Sequence, residues 1–162
     1  MRHIISILMQ NEAGALVRVA GMFSARGYNI ESLSVAPTED ETVSRLTLET
    51  VGSDQVINQV NRQTEKLVDV VGIADMTDGP HYERELMLIK LAERSQVVDE
   101  YIERYRARVL EDDEVCIVEV IGTGGEVAHF LSAMQNRAEV LEVVRSGVAA
   151  IASGTDVLRL ED

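Results

Sequence analysis

The sequence predicts an α+β protein built from two tandem ferredoxin-like βαββαβ domains, and three observations lead there. Strand-like and helix-like stretches follow one another as β-α-β-β-α-β through the first half of the chain. A run of breaker residues, "MTDGPHY" (76–82), then interrupts every periodicity. After it the same order of elements begins again. The expected domains are residues 1–76 and 83–162, joined by a linker at 77–82.

His3 to Gln10 is short and β-branched, as a strand buried on both faces would be. Ala15 to Arg26 is helical, with Leu16, Val19, Ala20 and Phe23 spaced i, i+3, i+4, i+7. Gly27 stands where a left-handed C′ residue is wanted. Ile30 to Pro37 and Val43 to Val51 are strands joined by the polar turn Thr38-Glu39-Asp40-Glu41, which makes them a hairpin. Ser53-Asp54 can cap a helix that runs to about Lys66 and turns Val56, Val60 and Leu67 inward. Val68 to Ala74 is the fourth strand.

In the second half, Glu85 to Leu91 is a strand, Ser95 to Tyr105 a helix and Arg108 to Glu111 a short strand. Asp112-Asp113-Glu114 turns the chain and Val115 to Ile121 returns it. Gly124-Gly125 opens a helix through Met134, and Val140 to Ala150 ends in β structure. "KLVDVVGIADM" (66–76) and "EVLEVVRSGVAAI" (139–151) each follow an amphipathic helix and set an acidic residue in an apolar strand. The halves read as a diverged repeat.

Composition narrows the function. The 162 residues carry a formal charge of −13, which repels nucleic acid. Hydrophobic residues make up 46% and charged residues 27%, a globular balance; with aromatics at 4%, the core must be aliphatic. The lone Cys116 rules out an internal disulfide and fits a cytoplasmic protein. The apolar run Ile4–Met9 is too short for a secretory signal. No window approaches the ~18 apolar residues that a membrane span needs.

Catalytic constellations are absent. His3, His81 and His129 lie in distant regions without metal-ligand spacing. No serine sits in a G-x-S-x-G elbow. Cys116 reads as a small buried hydrophobe. The acidic runs at 39–41 and 111–114 fall on turns and lack the register of a calcium loop. "GTGGE" (122–126) reads as a flexible turn into a helix: it has no following lysine, and Glu126 would repel phosphate. These residues assign no metal site and no catalytic residue.

The stretch "NEAGALVRVAGMFSARGYNIESL" (11–33) holds more than a packing helix needs. Asn11 can cap the helix, and Glu12 suits its positive end. Gly14 removes a Cβ at the first turn, where free backbone N–H groups make an anion site large enough for one carboxylate. Asn29 offers an amide, and Leu16 and Ile30 are apolar. Together they suit a small α-amino acid with an apolar side chain. The plainer alternative is an ordinary capped helix with a glycine at its entry.

"NEAGALVRVAGMFSARGYNIESLSVAPTEDETVSRLTL" closely resembles the regulatory small subunit of acetohydroxyacid (acetolactate) synthase, as do "KLVDVV", "HYERELMLIK" and "VVRSGVAAI". The resemblance covers the whole chain. It implies an N-terminal ACT domain and a C-terminal, ACT-like ferredoxin-like domain. It also implies a non-catalytic protein that activates a separate catalytic subunit and confers valine feedback inhibition in branched-chain amino-acid synthesis. The catalytic subunit would hold thiamine diphosphate, Mg²⁺ and FAD; this chain would hold no cofactor of its own. ACT domains pair side by side as a homodimer with the effector between them. Asn11, Gly14, Ala15 and Leu16 would come from one protomer, Asn29 and Ile30 from the other. Ala13 stands where the family often has Ser or Pro, at a position expected to be exposed. Two rivals are a small stand-alone enzyme, which would need a convergent polar set, and an amino-acid sensor attached to a transcriptional regulator. The charge and the lack of a basic helix count against DNA binding.

Overall fold

A computed structural model describes residues 1–159. The chain divides into two compact units, Met1–Tyr82 with Ala150–Asp162, and Glu83–Ala149. The first unit is built from β1 (Arg2–Gln10), α1 (Ala15–Ser24), β2 (Ile30–Pro37), β3 (Val43–Val51), α2 (Asp54–Thr64) and β4 (Val70–Asp75). Its antiparallel sheet has the order β2-β3-β1-β4. The other set of elements is β5 (His81–Leu91), α3 (Gln96–Tyr105), β6 (Arg108–Asp112), β7 (Cys116–Gly122), α4 (Gly124–Arg137) and β8 (Val140–Arg145), in the order β6-β7-β5-β8. A short β9 (Ala149–Ala152) pairs with β5, whose first residues, His81 and Tyr82, belong to the first unit. Both units are therefore βαββαβ folds.

The first core lies between sheet and helices. Ile5, Ile7 and Met9 of β1 and Leu46 and Leu48 of β3 meet Val19 and Phe23 of α1 and Ile57 and Val60 of α2. Ile4 and Leu8, on the opposite face of β1, are buried too, as the apolar run implies. α1 ends two residues earlier than expected, in a Schellman turn: Tyr28 N–H donates to Phe23 O (3.2 Å) and Gly27 N–H to Ser24 O (3.0 Å), with Gly27 at φ +76°. In the second core, Met87, Ile89 and Leu91 of β5 and Val118 and Val120 of β7 pack on Phe130 and Met134 of α4.

Several expectations are corrected. The inward face of α2 is Ile57, Val60, Asn61 and Thr64, while Val56 and Leu67 sit half-buried beside it. The spacing is helical, but two of the four inward residues are polar. Thr64 Oγ1 donates to Val60 O (2.9 Å), which offsets its burial; Asn61 Nδ2 donates to Asp75 Oδ2 (3.3 Å), while Asn61 Oδ1 is buried without a partner among the described residues. β4 begins at Val70, because residues 67–70 turn (Val70 N–H to Leu67 O, 3.0 Å) and leave Val68 84% exposed. α4 runs past Met134 to Arg137. Its start is no flexible turn but a Thr123/Glu126 capping box, which fixes the helix entry with two reciprocal hydrogen bonds. The final β stretch is broken at Gly147 (φ +79°) into β8 and β9.

The compact unit Glu83–Ala149 is shorter than the expected second domain, 83–162, of which residues 160–162 lie outside the described residues. The tail packs with the first unit: Ser153 N–H donates to Pro80 O (2.8 Å) and Arg45 Nη2 to Ala150 O (3.4 Å). Of the expected linker 77–82, Thr77 is tied to Asp75 and to Ile4 N–H (3.3 Å), and His81 and Tyr82 already belong to β5.

Candidate functional site

No side chain caps the N-terminus of α1. α3 is capped by Ser95 Oγ and α4 by Thr123 Oγ1; on α2 the expected cap Ser53 makes no capping hydrogen bond, and on α1 the residue at that place is Gly14, which has no side chain to cap with and lies in the left-handed region at φ +88°. The N–H groups of Leu16 and Val17, in the first turn, have no carbonyl of the helix to bond. The Ala15 N–H donates to Glu12 O (3.2 Å), and the first helical bond is Arg18 N–H to Gly14 O (3.0 Å).

Asn11 is not the cap. Its N–H donates to Thr42 O (2.7 Å) and its Nδ2 to Glu41 O (2.9 Å). The pairing of Gln10 with Val43 sets the next residue against the β2–β3 turn, so its amide goes to that turn. Ala15 is buried in the core, Leu16 is half-buried, and Val17 is 74% exposed at the rim. Ala13 is exposed, as expected.

Arg18 also stands at this mouth, although the sequence does not single it out. Its guanidinium grips Asp69 with two hydrogen bonds, Nε–Oδ2 at 2.5 Å and Nη2–Oδ1 at 2.8 Å. The remaining nitrogen, Nη1, lies 2.8 Å from where a Cβ on Gly14 would sit. A cationic group and the positive end of a helix therefore share one mouth, and the missing side chain of Gly14 is what makes room for both. The available signal is an arginine one helical turn after the glycine together with an acid, Asp69, inside an otherwise apolar stretch.

The Asp69 side chain is only 4% exposed. Arg18's hydrogen bonds hold its carboxyl below the usual carboxylate range, against the opposing effect of burial. A depressed folded-state pKa means stability that is present above the unfolded value of about 3.9 and is lost as pH falls through the folded value. Asp69→Asn should accordingly lower the melting temperature at pH 7. The gap to the parent protein should close as pH falls below about 4. A gap independent of pH would show that the ion pair is not its source.

Asn29 and Ile30 lie at the other end of α1. The ten residues of α1 separate the two ends by about 15 Å at 1.5 Å per residue. One chain thus brings Asn11, Gly14, Ala15 and Leu16 together but not Asn29 and Ile30. The exposed Asn29 donates through Nδ2 to Glu31 Oε1 (2.9 Å), and its carbonyl accepts from Thr50 Oγ1 (2.7 Å). Ile30 is half-buried at the start of β2, the edge strand of its sheet.

Among the described residues no cluster of three or more His, Cys, Asp or Glu could hold a metal ion. Cys116 is buried, and burial pushes its thiol pKa up. No helix among the described residues is long and apolar enough to cross a membrane.

Residues 5–72 match the family model of the AHAS small subunit-like ACT domain, and residues 84–154 match that of the small subunit of acetolactate synthase. The chain is 43% identical over 163 aligned residues to the acetolactate synthase isozyme 3 small subunit of Escherichia coli (strain K12), covering 98% of this chain and all of that one. It is 41% identical to the acetolactate synthase small subunit of Haemophilus influenzae, covering 95% and 97%. The crystal structure of the small subunit from Thermotoga maritima superposes with a TM-score of 0.86 at 30% identity, over 96% of this chain and 99% of that one. With an ACT domain in its first half and the family's own C-terminal domain in its second, this chain belongs to the acetolactate synthase small-subunit family.

Proposed function

We propose that the protein is the valine-sensing, activating subunit of an acetolactate synthase in branched-chain amino-acid synthesis. Two copies pair through their ACT domains along the exposed edge of β2. Each effector site combines the α1 mouth of one copy with Asn29 and Ile30 of the other. The effector's carboxylate takes the Leu16 and Val17 amides and Arg18 Nη1. Its ammonium takes the Asn29 carboxamide oxygen, and its branched side chain lies on Leu16 and Ile30. The observation that carries the reading is the uncapped α1 N-terminus with a left-handed glycine and an arginine nitrogen beside it.

The chemistry belongs to the catalytic subunit, in the cytoplasm, with its thiamine diphosphate, Mg²⁺ and FAD; this chain contributes no cofactor. An effector bound across two copies favours the dimer geometry that completes the site, and it acts on the catalytic subunit only through that preference. Such couplings are typically about 1–3 kcal/mol. Discrimination among valine, leucine and isoleucine is modest, since one methylene is worth roughly 1–3 kcal/mol in an apolar pocket.

The test is to add the purified protein to the catalytic subunit from the same source, with and without valine. Activation without valine and inhibition with it are expected; no change in activity would remove the proposal. Asn29→Ala should weaken valine binding in calorimetry by about tenfold, the loss of one hydrogen bond. The melting temperature should barely move, because the amide's one bonded partner is exposed Glu31. A large drop in melting temperature with unchanged affinity would make Asn29 a structural residue.

A further inference from the structure

The second unit carries an aromatic surface flanked by arginines, which its own fold explains only in part. Two of the chain's four tyrosines, Tyr101 and Tyr105, stack on α3 with ring centroids 6.3 Å apart. Arg137, from the end of α4, lies over Tyr101 at 5.4 Å, and Arg104 lies over Tyr105 at 5.8 Å. The Tyr105 hydroxyl meets Nδ1 of His129 on α4. Both tyrosines are half-buried, and the two arginines and His129 are exposed.

A structural role accounts for part of this. Phe130 lies beneath and meets both tyrosine rings edge-on, so the rings close over the core. Arg104 and Arg137 stand in the last turns of their helices, where a cation suits the carbonyl end. That role does not require Arg106. It occupies the left-handed C′ position of α3 at φ +52°, the only non-glycine residue with positive φ among those described. Glycine would sit there without strain. Arg106 is exposed, and neither it nor Arg104 nor Arg137 has a carboxylate partner among the described residues. A chain with 28 acidic side chains and 15 Lys and Arg has thus left two guanidiniums over one aromatic pair, and a third on the residue after Tyr105, without a carboxylate partner among the described residues. Strain retained at an exposed cation points to a use outside the chain.

We infer that this face of α3 and α4 docks an acidic segment of the catalytic subunit. The inference rests on the proposed function for the identity of the partner. Arginine and tyrosine are the residue types that dominate interface energetics, because each combines a flat apolar surface with hydrogen-bond donors. The three guanidiniums complement carboxylates, and the tyrosine faces take the aliphatic stems between them. Nucleic acid is disfavoured, since a chain of net charge −13 would repel a long polyanion.

The test uses the full chain and its catalytic subunit. Arg104→Gln, Arg106→Gly and Arg137→Gln, combined, should weaken binding of the catalytic subunit by about tenfold to a hundredfold and flatten its dependence on salt. Valine binding to the variant alone, measured by calorimetry, should not change. Arg106→Gly alone should raise the melting temperature by about 2–4 °C and still weaken binding, opposite signs that a folding defect cannot give. An unchanged dissociation constant and salt dependence in the triple variant overturns the inference and leaves the proposed function standing. Intact binding of the catalytic subunit with altered self-association in sedimentation also overturns it, because the face would then join copies of this chain. Failure of the unmodified protein to bind the catalytic subunit removes both.

Discussion

Replacing Gly14 with Asp is expected to abolish valine inhibition of the reconstituted enzyme while activation survives. The inhibitory valine concentration should rise by about a hundredfold, equivalent to ~2.7 kcal/mol. Three effects act together. At φ +88°, a residue with a Cβ costs about 1 kcal/mol, and Asp tolerates that region better than most. The new Cβ would lie 2.8 Å from Arg18 Nη1, the far end of a flexible side chain, so the guanidinium moves aside and the helix stays. The new carboxylate then occupies the mouth that the effector's carboxylate needs and competes with Asp69 for Arg18. One charge-assisted hydrogen bond is worth about 1.5–3 kcal/mol, so its loss plus like-charge repulsion accounts for the size of the effect. Gly14→Ala, with the backbone cost and no charge, should fall between the two. Full valine inhibition of the Asp variant would show that the effector binds elsewhere.

The largest stability effect is expected from Phe130→Ala. Phe130 is fully buried and meets Tyr101 at 6.4 Å and Tyr105 at 5.5 Å, both nearly perpendicular. It packs among Met87, Ile89, Val118 and Val120. Removing such a ring takes away its burial and leaves a cavity, about 3–5 kcal/mol in total. With aromatics at only 4% of the chain, few large rings are available to fill the space. Urea unfolding should show the loss as a lower midpoint. Because the first unit has its own core, valine affinity measured below the unfolding transition should stay within about twofold of the parent. A parallel collapse of valine binding would mean that the effector site depends on the second core.

Local signals in the sequence are enough for the architecture. The short, β-branched apolar run of β1, buried on both faces, marks a strand by its length and composition, and Val19 and Phe23 recur at helical spacing in α1. Gly27 marks the end of α1 because a left-handed residue there is nearly always one without a side chain. The register of α2 is harder. Asn61 and Thr64 are buried beside Ile57 and Val60, and a reading by hydropathy alone sets polar residues outward. The α4 cap is written in Thr123 and Glu126, but the two glycines between them carry the stronger signal of a flexible turn.

The candidate site is legible only in outline. Gly14, Leu16, Asn29 and Ile30 can be picked out by type and position. The bond that turns Asn11 toward Glu41 cannot, since strand register, set by many pairs at once, decides which residues lie opposite one another.

By itself the sequence determined the order of elements, the βαββαβ plan of each unit and the glycine at the entry of α1, because each depends on neighbours within a turn or a hairpin. Only the tertiary structure decided that Arg18 grips Asp69, that Asn11 leaves the helix it precedes, and that the chain after Ala149 joins the first unit. Those contacts join residues 30 to 105 positions apart, and no local period or propensity encodes a partner at that distance.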